Sequence, residues 1–210
     1  MTDLVEAIAS CDPQDTKRQK ELVQEIYKAW EESDFTLRIR EGLELIKTYL
    51  SPQLSPTSLD AIKLWMDNFQ KNLEDQEAPE AVSLKETFCL DNFFMESIFN
   101  LGHDFIAQKD FQLAASVFSV LTFLDPLATN AVLSLGLAEA GLGHKESAER
   151  AFGAALFLAP HDFVVLYHVG LYYFNEGEKK TAEGFFKLII EAKESSASLK
   201  AYCKQYMGRI

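Results

Sequence analysis

Four histidines and three cysteines are the side chains in this sequence best suited to metal binding or nucleophilic chemistry. They are His103, His144, His161, His168, Cys11, Cys89 and Cys203. No two histidines have the HExxH spacing of a zinc site, and the cysteines lie too far apart along the chain for a paired metal or redox motif. His161 and His168 are close in sequence, but Pro160 places them at and beyond a helix start. The sequence therefore predicts reduced thiols, no metal and no cofactor.

Sequence motifs for catalysis are missing as well. No serine or cysteine has the flanking residues of a nucleophile elbow. The glycines of GLAEAGLGH, residues 136–144, are not followed by the Lys and Ser or Thr of a phosphate-binding loop. The acidic pairs Glu31–Glu32 and Glu176–Glu178 are most simply solvated helix faces. We predict that the protein is not an enzyme.

Charge and composition exclude several kinds of partner. The chain has 32 acidic and 20 basic residues, a formal net charge of −12. A nucleic-acid-binding protein carries a basic footprint, and an anionic membrane surface repels an acidic chain. The N-terminus lacks the basic start and apolar run of a signal peptide, and no stretch reaches the length of about 18 apolar residues that a membrane span needs. We expect a cytoplasmic protein without a membrane span.

An internal repeat is the strongest pattern in the sequence. Gly102, Gly136 and Gly170 recur at a spacing of 34 residues. The same spacing relates small residues, aromatic residues and prolines: Ala114, Ala148 and Ala182; Phe118, Phe152 and Phe186; Pro126 and Pro160. A repeated helical hairpin explains this period, because each hairpin must stack on its neighbours to bury its apolar face. The predicted helices span residues 95–108, 111–124, 129–142, 145–158, 163–176 and 179–193.

These hairpins resemble the tetratricopeptide repeat, so we predict an all-α solenoid of three repeats at residues 95–128, 129–162 and 163–196. The match departs from that pattern at two places. The early aromatic position of each first helix is aliphatic, as in Ile98, and the later aromatic position is Glu139 in the second repeat. From sequence, Glu139 is either strained or faces a groove.

The two ends of the chain do not follow the repeat. Residues 197–210 predict a short amphipathic helix that caps the solenoid, whose last apolar face needs a cover. Residues 1–85 predict a separate N-terminal helical module, distinct from the repeat domain at 86–210. Its helices are predicted at residues 17–32, 36–50 and 57–73, with a linker at residues 74–83. Packing on the repeats, homodimerisation and covering of a groove all remain open roles for this module.

In a solenoid of this type the first helix of each hairpin lines a concave surface. We predict a peptide-binding groove at nine positions, here called the groove residues: Phe99, His103, Ile106, Asn130, Leu133, Leu137, Tyr167, Leu171 and Phe174. Mostly apolar positions with a few polar anchors suit an extended peptide that carries spaced Leu or Pro side chains. The alternative is that several of these residues are simply core. The corresponding positions lack Lys, Arg and Asn at the places where chaperone-tail clamps hold a carboxylate.

Three segments of the repeats carry a further resemblance: VFSVLTFLDP at 117–126, LSLGLAEAGLGHKESAERAFGAA at 133–155 and YHVGLYYFNEGEKKTAEGFF at 167–186. They resemble one family, the SycD/LcrH-type (class II, translocator) chaperones of bacterial type III secretion. The resemblance implies a small acidic cytoplasmic chaperone. Its partner would be a hydrophobic secreted translocator, held by a short Pro- and Leu-bearing segment in the groove. The region before Met95 is longer than in that family. A non-enzymatic adaptor of a secretion system or another assembly is therefore the alternative function.

Overall fold

The computed structural model describes residues 35–50, 84–87, 90 and 92–210. Its helices, in chain order, are α1 (Phe35–Leu50), α2 (Leu84–Thr87), α3 (Asn92–Ala107), α4 (Phe111–Leu124), α5 (Thr129–Gly141), α6 (Lys145–Leu158), α7 (Phe163–Asn175), α8 (Lys179–Glu191) and α9 (Ala197–Met207). No strand occurs within these described ranges, so the predicted all-α fold is confirmed.

The bounds of the repeat helices α3 to α8 agree closely with the ranges predicted from the sequence. Helices α4 to α8 begin at the predicted residues, while α3 begins three residues early, at Asn92. No proline or glycine interrupts the chain between Asn92 and Met95, so nothing delays the helix start. The helices predicted at residues 17–32 and 57–73, and the predicted linker, lie outside the described residues.

The turn inside each hairpin has the same backbone geometry. Lys109, Gly143 and Gly177 occupy equivalent positions with φ values of 62°, 77° and 81°. The residue after each of them donates its backbone N–H to a carbonyl five positions earlier, at N···O distances of 2.8, 3.0 and 2.9 Å. This is a Schellman turn, whose left-handed residue is most easily a glycine because glycine has no Cβ. Lys109 adopts the same conformation without that freedom.

Close approach of the paired helices explains the periodic glycine and phenylalanine. A Cβ atom on Gly102 would lie 2.6 Å from the ring of Phe118, and one on Gly170 would lie 2.8 Å from the ring of Phe186. Both distances are far below normal van der Waals contact, so only glycine fits at these positions. Within the first and the third hairpin, the ring of the second helix therefore packs against the glycine of the first helix.

Helix α4 is buried along most of its length. The residues from Ala114 to Leu124 are all buried, and the 14-residue sequence FQLAASVFSVLTFL has no charged side chain. Helices α3 and α5 pack against α4, and α1 covers it as well. A helix that is apolar on every side is stable in water only when every side is covered. The N-terminal helix α1 is therefore an integral part of this core.

The packing of α1 on α4 depends on a second close backbone approach. A Cβ atom on Gly42 would lie only 2.3 Å from the carbonyl oxygen of Ser116. The apolar side of α1 is formed by Ile39, Leu43 and Ile46, which are all buried. Because Gly42 has no side chain, the two helix backbones can approach closely. The apolar side chains around it are then buried against α4.

The described residues fall into two compact units. One unit ends at Ala148, and the other runs from Glu149 to Ile210, so the division falls within α6. In the second unit α9 packs on α8, as the predicted capping helix would, and buries Cys203. The hydroxyl of Ser196 accepts a hydrogen bond from the backbone N–H of Leu199 at 3.2 Å and caps the start of α9. The predicted module boundary at residue 85 stays a prediction.

None of the described helices combines the length and the apolarity that crossing a bilayer requires.

Candidate protein-binding site

The groove residues of α3 lie partly exposed at the edge of the core. Phe99, His103 and Ile106 are all half-buried. The rings of Phe99 and His103 lie against each other, with centroids 4.5 Å apart. Both rings also contact the fully buried Phe118, at centroid distances of 5.9 and 5.4 Å. The rings of Phe99 and His103 thus pack on the core through Phe118, and part of their surface remains accessible.

The imidazole of His103 connects α3 to α5. Its Nε2 atom lies 3.2 Å from the hydroxyl oxygen of Ser134, which is buried in α5. Burial lowers the pKa of His103, and the nearby carboxylate of Asp104 opposes part of that shift. His103 is therefore neutral at pH 7, and its ring behaves as an aromatic surface with one fixed polar contact.

The three groove residues of α5 differ in exposure. Asn130 is exposed, Leu137 is half-buried and Leu133 is buried. The side-chain oxygen of Asn130 accepts a hydrogen bond from the backbone N–H of Ala131 at 2.9 Å, in the first turn of the helix. Leu137 and Asn130 remain accessible to a partner, whereas a substitution at Leu133 would disturb the packing of the helices.

The groove residues of α7 form an aromatic cluster with the C-terminal helix. Tyr167, Leu171 and Phe174 are half-buried. Tyr206 of α9 places its ring centroid 5.2 Å from that of Phe174 and 6.4 Å from that of Tyr167. Burial, with contributions from Tyr206, raises the pKa of Tyr167. The capping helix therefore contributes a side chain to the surroundings of two groove residues.

Tyr206 is the residue of this site that the sequence did not reveal. The ring of Tyr206 also stacks on that of Phe186, with centroids 5.7 Å apart. The guanidinium carbon of Arg209 lies 5.8 Å from the centroid of the Tyr206 ring. The sequence of residues 197–210 predicted a capping helix. It could not show that the side chain of Tyr206 reaches the first helix of the third hairpin.

The remaining chemistry-bearing side chains do not assemble into a reactive cluster in the part of the chain that the structure describes. Among those residues no group of three or more His, Cys, Asp or Glu side chains could hold a metal ion. Burial raises the pKa of the Cys203 thiol, which keeps it protonated at neutral pH. The side chain of Val164, exposed by 55%, extends the apolar surface at the start of α7.

Comparisons with known proteins agree with a helical-repeat fold. No family model matches the chain. Cell division cycle protein 16 homologs are similar over 85 residues, with 34% identity for the protein of Mus musculus and 33% for that of Homo sapiens. These matches cover 40% of this chain and 14% of each relative, so the chain spans a small part of the relatives' length.

A solved structure provides the broader match. One chain of the CopN-Scc3 complex superposes with a TM-score of 0.53 at 19% sequence identity, over 68% of this chain and 86% of that one. At this identity the likeness concerns the fold. Paired helices with a recurring Schellman turn and glycine–phenylalanine contacts, together with these similarities, identify the chain as a tetratricopeptide-like helical-repeat protein.

Proposed function

We propose that this protein is a non-enzymatic chaperone of the SycD/LcrH type in the bacterial cytoplasm. It binds an extended apolar segment of a hydrophobic, secreted translocator at the groove residues. Binding covers part of the client's apolar surface before export, because an uncovered surface of that kind causes association of the free client. No chemical step is required, and the chain contributes shape, apolar contact and a few polar anchors.

The partial exposure of the groove residues is the observation that carries this proposal. In the first unit Phe99, Ile106 and Leu137 are only half-buried, and in the second unit Tyr167, Leu171 and Phe174 are half-buried too. Rigid aromatic and aliphatic side chains that are fixed by the core but still accessible are good anchors for a peptide, because they lose little conformational freedom on binding. Within either unit, an extended segment can place alternate side chains against these residues.

Two similarities support a protein client. The similar structure is of a complex between two proteins, CopN and Scc3. The segments at 117–126, 133–155 and 167–186 resemble the translocator chaperones in sequence. The acidic net charge of −12 fits a soluble holder of an apolar client and disfavours nucleic acid.

Two substitutions test the proposal, one at the groove residue Leu137 of the first unit and one at exposed Val164 at the start of α7 in the second unit. We expect Leu137→Gln and Val164→Gln each to weaken binding of a co-expressed translocator about tenfold, since each removes one apolar contact worth about 1.5 kcal/mol. Affinity should be measured by isothermal titration calorimetry with the purified client segment. Circular dichroism should show unchanged helix content, because neither side chain is fully buried.

A matched control removes an exposed apolar side chain elsewhere. Leu127 is 38% exposed in the turn before α5. Leu127→Gln should leave the affinity unchanged. A client that binds Leu137→Gln and Val164→Gln as tightly as the unmodified protein would remove this surface from the mechanism.

An adaptor that docks through its N-terminal helix is the second candidate function. It is favoured by two large and exposed side chains on α1, since Leu37 is 57% and Tyr49 is 55% exposed. For an adaptor, the double variant Leu37→Gln/Tyr49→Gln should lose the partner in a pull-down, and Leu137→Gln should retain it. The chaperone function predicts the reverse pattern.

A further inference from the structure

The hydroxyl of Ser134 and the imidazole of His103 form a polar pair between α5 and α3. Nε2 of His103 lies 3.2 Å from the hydroxyl oxygen, and Ser134 is only 3% exposed. In the part of the chain that the structure describes, neither side chain has another hydrogen-bond partner. The donor and acceptor roles within this pair must therefore satisfy the buried hydroxyl.

The burial of Ser134 decides which atom of the pair donates. Serine hydroxyls elsewhere donate to a carbonyl one helical turn earlier, as Ser97 does to Phe93 and Ser116 does to Gln112. No such bond from Ser134 occurs among the described residues. A hydroxyl that only accepted a proton from the imidazole would leave its own hydrogen buried and unpaired, which is costly. The hydroxyl therefore donates to Nε2, and Nε2 is the unprotonated nitrogen.

This assignment places the proton of the neutral imidazole on Nδ1. Burial lowers the pKa of His103, which favours the neutral ring at neutral pH. Nδ1 has no partner within the described ranges, and it is not one of the buried polar atoms that lack a partner there. The Nδ1–H group is therefore accessible to solvent and available as a hydrogen-bond donor.

The surroundings of Nδ1 favour an uncharged acceptor. Phe99, His103 and Ile106 follow each other at spacings of four and three residues, so they lie on one face of α3. The ring of Phe99 lies against the imidazole. The carboxylate of Asp104 is exposed and acts electrostatically on His103, so a client carboxylate here would be repelled. The uncharged acceptor that every extended segment offers is its main-chain carbonyl.

We propose that Nδ1–H of His103 donates a hydrogen bond to a main-chain carbonyl of the bound client segment, and that Ser134 is the positioning residue that fixes this tautomer. Such a contact adds affinity without restricting the sequence of the client. This inference rests on the proposed function and deepens it by naming the group of the client that His103 recognises. All of the side chains involved lie in the first unit.

The tautomer can be measured on the full-length protein without any client. A long-range proton–nitrogen correlation spectrum of the isotopically labelled protein distinguishes the two neutral tautomers, and the signals missing from His103→Gln identify His103. We expect a protonated Nδ1 and an unprotonated Nε2 at neutral pH. In Ser134→Ala the fixing hydroxyl is absent, so the signals should shift toward an average of both tautomers. A proton on Nε2 in the unmodified protein would overturn the inference alone.

Two amide substitutions separate the donor from the aromatic ring. The side-chain nitrogen of asparagine can take the place of Nδ1, whereas the amide of glutamine reaches the position of Nε2. Both are made together with Ser134→Ala, so that no buried hydroxyl loses its partner. We expect His103→Asn/Ser134→Ala to bind a client segment about fivefold more tightly than His103→Gln/Ser134→Ala, because one hydrogen bond between neutral groups is kept.

The probe is the fluorescently labelled peptide GPALALAPG, capped at both ends, in which the main-chain carbonyls are the acceptors. Fluorescence anisotropy gives its Kd for each variant of the full-length protein. Replacing one amide bond at a time with an ester weakens single carbonyls as acceptors. At one position the ester should weaken binding to the unmodified protein about fivefold. The same ester should make no difference to His103→Gln/Ser134→Ala, because the contact is already lost there.

The binding results separate this inference from the proposed function. Equal Kd values for the two double variants, with binding still weakened by Leu137→Gln, would overturn the carbonyl contact and leave the proposed function in place. A peptide that shows no binding sensitive to Leu137→Gln would overturn the inference together with the proposed function.

Discussion

Glu139 is a buried carboxylate in the first unit, with only 3% of its side chain exposed. It pairs with the guanidinium of Arg38 from α1, and its other oxygen lies 2.8 Å from Nδ1 of His144. Burying a charge is costly unless a partner compensates for the lost hydration. The ion pair therefore ties α1 to α5 through a residue that cannot remain buried alone.

Removing Arg38 tests how far Glu139 depends on that partner. We expect Arg38→Met to lower the free energy of unfolding by about 3 kcal/mol, because the carboxylate is left buried without its guanidinium. The double variant Arg38→Met/Glu139→Leu should recover most of this loss, since no buried charge remains. Lys47→Met, at an exposed site on α1, is the control and should change stability by about 0.5 kcal/mol or less. Urea unfolding gives all three values, and a double variant as unstable as Arg38→Met would contradict the prediction.

The sequence marked Glu139 as unusual without revealing its role. The repeat pattern expects an aromatic residue there, and the departure left strain or a groove-facing position open. The structure shows a third arrangement, in which Glu139 is buried and paired. Arg38 lies 101 positions earlier in the chain and outside the repeats. A pairing that occurs once leaves no periodic signal, so spacing could not predict it.

At the scale of elements, α1 and α4 form an extensive helix contact outside the repeat hairpins. The α4 sequence gave a usable signal, since a helix without any charged side chain must be covered on all sides. Residues 36–50 were predicted to form a helix, and α1 spans Phe35–Leu50. Where that helix docks could not be predicted, because α1 occurs only once in the chain. The repeat helices were predictable because three copies fix the same positions.

The contact between α1 and α4 should be sensitive to one methyl group. We expect Gly42→Ala to destabilise the protein by about 2 kcal/mol, since the new Cβ would lie 2.3 Å from the backbone oxygen of Ser116 and α1 would have to shift. Gly153→Ala is the matched control. A Cβ there would meet no atom within 4 Å, and Gly153 lies inside α6. That variant should gain about 0.5–1 kcal/mol because alanine favours the helix. Thermal unfolding followed by circular dichroism measures both, and a stable Gly42→Ala variant would contradict the close approach.

At the scale of the whole molecule, the second unit contains three tyrosines whose pKa is raised. Burial, with the negative charges of Glu149 and Glu176, raises the pKa of Tyr172 to about 12. Burial also raises the pKa of Tyr173 and of Tyr167. The hydroxyl of Tyr172 is buried near the carboxylate of Glu149. Tyr172 therefore ionises only at unusually high pH.

These tyrosines predict a loss of stability at alkaline pH. Above pH 10 an unfolded tyrosine releases its proton while folded Tyr172 keeps it, so the unfolded state binds fewer protons and the free energy of unfolding falls between a pH of about 10 and about 12. Below pH 10 the contribution is fully present. Tyr172→Phe should reduce this fall between pH 8 and pH values above 10, because the side chain that keeps its proton in the folded state is then missing. Urea unfolding midpoints measured at pH 8 and at a pH between about 10 and about 12 check this prediction. Tyr202→Phe, at an exposed site, is the control. An equal alkaline fall in Tyr172→Phe would contradict the assignment.

The candidate site was predictable in part at this scale. The positions of the groove residues on α3, α5 and α7 follow from the repeat register alone. Their degree of burial does not, because it depends on side chains from other elements. Leu133 is buried among the first-unit helices, while the contact between Tyr206 and Phe174 comes from a helix outside the repeats. Whether these residues bind a client stays a prediction.

The order of α1 and α4 along the chain has a consequence for synthesis. The ribosome makes α1 before α4, so the helix that shields the charge-free segment Phe111–Leu124 has already left the exit tunnel when that segment emerges. Each nascent chain thus already contains the helix that packs on its most aggregation-prone segment. Fusions or tags that hold residues 35–50 away from the rest of the chain would leave α4 exposed during synthesis. Such proteins should aggregate into inclusion bodies.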